Sequence, residues 1–325
     1  MSTWKPGCDH DQLIKRALVL AAIRDFFAEK SVLEVETPLL GITTGTDPQL
    51  DFFVTQLDRD AKNKALYLQT SPEFAMKRLL AAGSGSIFQI CKAFRNGEIG
   101  RLHNPEFTIL EWYRVGFDLE QLMQEVAELM FRLSDIFDIA LSIEKYSYSE
   151  IFNHYTDLDA LNFDLDSYRS FAIRRNHTDA ERLCGEQHSV WLDFIFSHEV
   201  QPFLGKTGMV MIHSYPACQA ALAKINDFNP LIAERVELFM NGVELGNGYF
   251  ELTDPAEQER RFKQELRLRE QQNLPKVVID EKFLASLQAG LPSCAGIAIG
   301  LDRLLMVLNA DTCLDEVLSF SHTRL

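Results

Sequence analysis

The sequence is short of basic residues, of apolar runs and of paired cysteines. Its 325 residues carry 32 Lys and Arg against 47 Asp and Glu, a formal charge of −15 with His neutral. Affinity for phosphodiester backbones comes largely from Lys and Arg, so gripping nucleic acid is not expected to be its main business, although a local basic cleft fits the same count. Nowhere are there the roughly 18 consecutive apolar residues that a membrane-spanning helix needs, so no membrane partner is expected. The start, Met1-Ser2-Thr3-Trp4-Lys5-Pro6, lacks the apolar stretch of a cleaved secretory signal. Cysteines 8, 91, 184, 218, 294 and 313 are scattered without a C-x-x-C pair, which points to reduced thiols in a cytoplasmic protein. Internal repeats, low-complexity tracts and convincing linkers are absent too. The length suggests about two domains, but the chain reads better as a tail over 1–11 and one continuous domain over 12–325.

Globular composition is what remains, 46% hydrophobic and 24% charged. Apolar positions at helical spacing predict helices over 12–30 and 119–137, and a helix from 73 to about 82 opened by Ser71-Pro72. Strands are expected at 32–36, 66–69, 87–90, 108–113 and 296–300, with a helix over 301–308. Residues from about 145 to 205 read as a mainly helical insertion without a chemical motif. The stretch 254–272 reads as a solvated surface helix laced by Glu257/Arg261, Glu259/Lys263 and Glu265/Arg269 at i,i+4.

Three features carry chemistry. Asn241-Gly242 is a strong two-residue turn signal, so Glu244 faces Phe239 and lies on the same face as Glu237. Two carboxylates placed this way repel unless a cation joins them; Mg²⁺ held with substrate phosphates would serve, and a merely solvated face is the alternative. Glu251 is an odd offset beyond Glu244, and a bulge at 246–248 would restore it to that face. Second, Arg95 follows an apolar strand and implies an anionic partner, while Glu111 and Tyr113 share a strand face able to receive an ammonium group. Structural salt bridges would explain either. Third, the small residues at 296, 298 and 300 leave room over a strand for a flat ligand, with Arg303 in the helix that follows; tight packing is the alternative.

Together these segments resemble the signature motifs of class II aminoacyl-tRNA synthetases in their lysyl form. Phe94-Arg95-Asn96, with the run from Arg101 to Tyr113 that contains His103-Asn104-Pro105-Glu106-Phe107, resembles the second motif. The run Gly296 to Leu304 resembles the third, and Val32 to Pro38 with its preceding helix the first, dimer-forming one. The resemblance implies an α+β fold, an antiparallel sheet flanked by helices. The catalytic region begins almost at residue 12 with no anticodon-binding module before it. That makes the chain similar to the free-standing paralogue family, the elongation factor P–(R)-β-lysine ligases, which use ATP to place β-lysine on a lysine of elongation factor P rather than on tRNA. A truncated lysyl-tRNA synthetase-like enzyme and a non-catalytic regulatory paralogue are the other readings.

By this resemblance Arg95 and Arg303 are catalytic. ATP is expected on Arg95, Asn96, Gly97, His103, Asn104, Phe107, Glu244, Leu245, Gly300 and Arg303, with Mg²⁺ on Glu237 and Glu244. Lysine or β-lysine is expected on Ser71, Pro72, Glu73, Glu111, Tyr113, Glu251 and Ala298, and a homodimer is expected through the first motif. Three departures stand out. Ser71 replaces an Ala and Ala298 a Gly of the lysyl pattern, changes able to re-register the substrate's amino group. Gly97 stands where the family has Glu, with Glu98 one residue later.

Overall fold

The structure, a computed structural model, describes residues 4–57 and 65–325; Met1, Ser2 and Thr3 of the expected tail lie outside them. In chain order the helices are α1 (His10–Glu29), α2 (Glu73–Ala81), α3 (Leu119–Ser134), α4 (Tyr148–Thr156), α5 (Leu165–Arg174), α6 (Ala180–Cys184), α7 (His188–Ile195), α8 (Pro255–Gln271), α9 (Glu281–Gly290) and α10 (Leu301–Leu308). The strands are β1 (Leu33–Glu34), β2 (Leu40–Gly41), β3 (Val54–Gln56), β4 (Ala65–Leu68), β5 (Ile87–Phe94), β6 (Glu106–Val115), β7 (Ile143–Ser147), β8 (Met209–Pro216), β9 (Ile232–Met240), β10 (Val243–Phe250) and β11 (Cys294–Gly300). The α+β class therefore holds. Among the described residues no helix is long and apolar enough to cross a membrane.

The chain divides into two compact units, one of residues 1–117, 132–139 and 253–325, the other of 118–131 and 140–252. In the first, β1 pairs in parallel with β5, β5 antiparallel with β6, and β6 antiparallel with β11. One face of these strands is apolar and packs on α1, where Phe27 stacks on Phe88 at 4.5 Å and tilts against Trp112 at 5.3 Å. Side chains alternate along a strand, so Glu111 and Tyr113 project from the face opposite Trp112.

The N-terminal segment is tied down sooner than its sequence suggests. The amides of Gly7 and Cys8 donate to Ser319 and Leu318, Cys8 is buried, and Asp9 caps α1 by accepting from Gln12 N. Nor is α8 wholly solvated. Glu257 and Glu259 pair at i,i+4 as expected, but Glu265 accepts from Thr46 instead. Arg269 is buried and donates to the carbonyls of Asp47 and Pro275. Burial pushes the Glu265 carboxyl up to about 7. A polar helix can bury one face when each buried polar group finds a partner.

In the second unit β7 runs parallel to β8, while β8–β9 and β9–β10 are antiparallel. The helices of the expected insertion pack onto these strands: Tyr148, Phe152, Tyr168, Trp191, Phe196, Tyr215 and Phe239 share one core. Strand β8, absent from the sequence reading, lies within this core. Its run Met209-Val210-Met211-Ile212 is buried at every position, so it shows no alternation to mark it.

Candidate active site

In the first unit, the register of β6 and β11 sets Ala298 opposite Glu111 and Gly296 opposite Tyr113. Small side chains therefore stand beside the carboxylate and the phenol, leaving room for a guest. Glu111 is 2% exposed and accepts from Tyr113 Oη at 2.6 Å and from Ser71 Oγ at 2.9 Å. Pro72 precedes α2 as its N-cap and Glu73 is its first residue. The amide of Glu73 also donates to Ser71 Oγ. Burial first, then the charge of Glu73, pushes the Glu111 carboxyl up to about 7 against the pull of its hydrogen bonds and of Lys77. The two departures from the lysyl pattern thus meet at one carboxylate: Ser71 bonds it and Ala298 faces it.

The loop between β5 and β6 gathers the second set. The backbone N of Arg95 donates to Pro105 O, its guanidinium lies 5.1 Å from the centre of the Phe107 ring, and Nη1 is 3.6 Å from Glu98. Its buried Nε has no hydrogen-bond partner within the protein, a donor placed to await an anion. Gly97 has φ +75°, a left-handed conformation that glycine adopts without strain, and the turn delivers Glu98 to Arg95 and His103. The residue that follows the glycine therefore supplies the carboxylate. Burial, then the Arg303 charge, holds the His103 imidazole below its ordinary pKa, so neutral Nε2 accepts from Arg303 Nη2 at 2.7 Å. Arg303 Nε donates to Leu102 O, and Gly300 caps α10.

Other candidates are occupied by the fold. The Asn96 side chain donates to Asp51. Asn104 donates to Glu106 O and accepts from His322 N. Asp302, unremarked in the sequence reading, is buried and joins Arg16 of α1 to the amide of Thr108 in β6.

In the second unit, the register places Glu244 opposite Phe239 and Asn247 opposite Glu237, with a shift between Glu244 and Gly246. The bulge residue is thus Leu245, earlier than expected, and it brings Glu244, Asn247, Tyr249 and Glu251 to one face. Asn241 (φ 53°) and Gly242 (φ 75°) form the turn. The sequence reading missed Arg235. Its guanidinium bonds Glu237, Asn247 Oδ1 and Gln219 O; burial lowers its basicity, but Glu237, Tyr249, Tyr215 and Glu244 together outweigh burial and the net shift is upward. Much of the positive charge that the paired carboxylates demand is therefore built into the chain. Tyr215 Oη donates to the other Glu237 oxygen at 2.6 Å. Each oxygen of Glu237 keeps a lone pair after one such bond, so a hard cation completed by phosphate oxygens fits this face. Among the described residues no group of three or more His, Cys, Asp and Glu could hold a metal unaided.

The family model of tRNA synthetases class II (D, K and N) matches residues 9–324. The chain belongs to that family. Among this class II family's curated members, an elongation factor P–(R)-β-lysine ligase of Histophilus somni (strain 2336) is 45% identical over 320 residues, 98% of this chain and 97% of the relative. The ligase of that name from Hamiltonella defensa is 43% identical over 329 residues, covering 99% and 98%. That of Salmonella dublin is 42% identical over 328 residues, with the same coverage.

Proposed function

We propose that this ATP-dependent ligase activates (R)-β-lysine as an aminoacyl-adenylate and transfers it to a lysine side chain of elongation factor P. The observation that carries the reading is the end-to-end similarity to ligases of that name, at 42–45% identity. The pocket built from Ser71, Glu73, Glu111 and Tyr113 supports it, since one buried and one half-buried carboxylate suit a substrate with two amino groups.

In the first half-reaction the substrate carboxylate attacks the α-phosphorus, the bond to the bridging oxygen breaks, and diphosphate leaves. The carboxylate is already ionised, so alignment and charge neutralisation do the work. Arg95 would meet the α-phosphate with its unpartnered Nε–H. Phe107 and Arg303 would hold the adenine, Phe107 on the face that Arg95 does not cover. Glu237 and Glu244 would hold Mg²⁺, which neutralises phosphate charge. Glu111 and Tyr113 would receive the distal ammonium, and Glu73 the other amino group. In the second half-reaction the acceptor amine attacks the adenylate carbonyl, an amide forms, AMP leaves and the amine gives up a proton.

The same proposal treats 12–325 as the catalytic region and makes the enzyme a homodimer. The exposed Leu13, Ile14 and Leu18 of α1 and Leu33 of β1 supply apolar surface for the partner. Incubation with ATP, labelled lysines, elongation factor P and tRNA tests the function. Label is expected on elongation factor P, most from (R)-β-lysine; label on tRNA alone would mark a residual synthetase, and no diphosphate exchange a silent paralogue.

A further inference from the structure

The amino-acid pocket contains a cation of its own. Lys77 is 1% exposed and sits one turn along α2 from Glu73, donating to its Oε1 at 2.6 Å. A buried ammonium is costly unless paired, and here it stands beside the carboxylates that await a cationic guest. Glu73 is close enough to Glu111 for its charge to resist ionisation of Glu111. From α2 and the turn before it, Ser71, Glu73 and Lys77 bear on Glu111; from β6, Tyr113 does. From β5 the group nearby is the Cys91 thiol, which burial and then Glu111 push up to about 12. From β11 only the methyl of Ala298 faces it in register.

We propose that Lys77 is a positioning residue of the amino-acid pocket, an internal cation that fixes the half-buried Glu73 beside the buried Glu111, so that an incoming ammonium is received by Glu111 in exchange for a proton. This rests on the reading of the pocket as a lysine-type site. Two carboxylates and one lysine leave one net negative charge, and of the two carboxylates Glu111 is the one out of water. In the empty pocket a proton on Glu111 removes it, which agrees with the raised pKa given above. An ammonium guest removes it equally well, but the proton must leave first. Binding is therefore linked to pH: below about 7, each further unit raises the amino-acid KM by about tenfold, and above that the dependence flattens. A purely structural lysine predicts that replacing it leaves this coupling unchanged.

The test is ATP–diphosphate exchange with Lys77→Met and Lys77→Arg beside the wild type. Lys77 bonds Glu73 and also pulls the Glu111 carboxyl down, so Lys77→Met should raise the KM for lysine or β-lysine about threefold or more. The pH at which KM levels off should move upward, and the KM for ATP should stay within about twofold. Lys77→Arg, which keeps the charge, should recover most of the loss. A lowered melting temperature with an unchanged amino-acid KM and pH profile would overturn the proposal. Calorimetry on the wild type covers the case in which neither variant folds. At pH 6.5, binding of the amino acid should release a proton, seen as a heat that varies with the buffer's ionisation enthalpy; a buffer-independent heat would overturn it. Wild-type enzyme that activates no lysine at all would instead sink the functional reading.

Discussion

At the scale of single residues, Arg95 carries the sharpest expectation. Its buried, unpartnered Nε–H has no evident use except for an anion, and Arg95→Ala should lower the rate of ATP–diphosphate exchange by at least about 100-fold. Glu98 meets both Arg95 and His103, so Glu98→Ala should raise the KM for ATP while leaving that for the amino acid near its wild-type value. Ser71 and Ala298 converge on Glu111, and the double change Ser71→Ala, Ala298→Gly should move the preference from β-lysine towards α-lysine in competition assays. These residues were legible because motif spacing marks them. Arg235 and Lys77 were not, since a basic residue in a strand or an amphipathic helix looks solvated until burial and partners are known. Asn104 was legible as a member of a motif, but its amide serves the backbone at both ends.

At the scale of elements, the hairpin β9–β10 was read almost to the residue, because Asn241-Gly242 fixes both the turn and the register. The bulge was foreseen, but glycine content drew it to 246–248, whereas the extra residue is Leu245. Strands β7 and β8 and the packing of α4 to α7 were opaque, since aromatic residues in a shared core obey no single period. These helices nevertheless reach the proposed cation face: Tyr148 packs on Tyr215 at 4.9 Å, and Tyr215 holds Glu237. A cleft of about 450 Å³ beside β7 and α4 has Tyr155 stacked on Phe203 and Glu150 engaged in capping α4. The helix α10 is anchored by Asp302, and Asp302→Ala should cost about 3 kcal/mol in urea unfolding, because it strips the partner from Arg16 and from a buried amide.

At the scale of the whole molecule, the fold class was legible from motif order, and the charge of −15 agrees with a protein acceptor. The proposed dimer belongs to this scale as well. Leu18 is 51% exposed on α1, and Leu18→Glu should shift the light-scattering mass from dimer to monomer if that helix forms the interface. One tie described above has a consequence in time. Besides Gly7 and Cys8, which bond Ser319 and Leu318, Gln12 bonds Asp311 and Lys15 bonds Asn309, so the N-terminal half of α1 finds these partners only in the last part of the chain, although Phe27 meets Phe88 and Trp112 much earlier. At ribosomal speeds of about 5–20 residues per second, the first helix waits roughly 15–60 s for them. The second unit, by contrast, is translated in full well before the last residues. During synthesis the N-terminal half of α1, which carries Leu13, Ile14 and Leu18 on its exposed side, is the part left waiting, and it is where a chaperone would be needed.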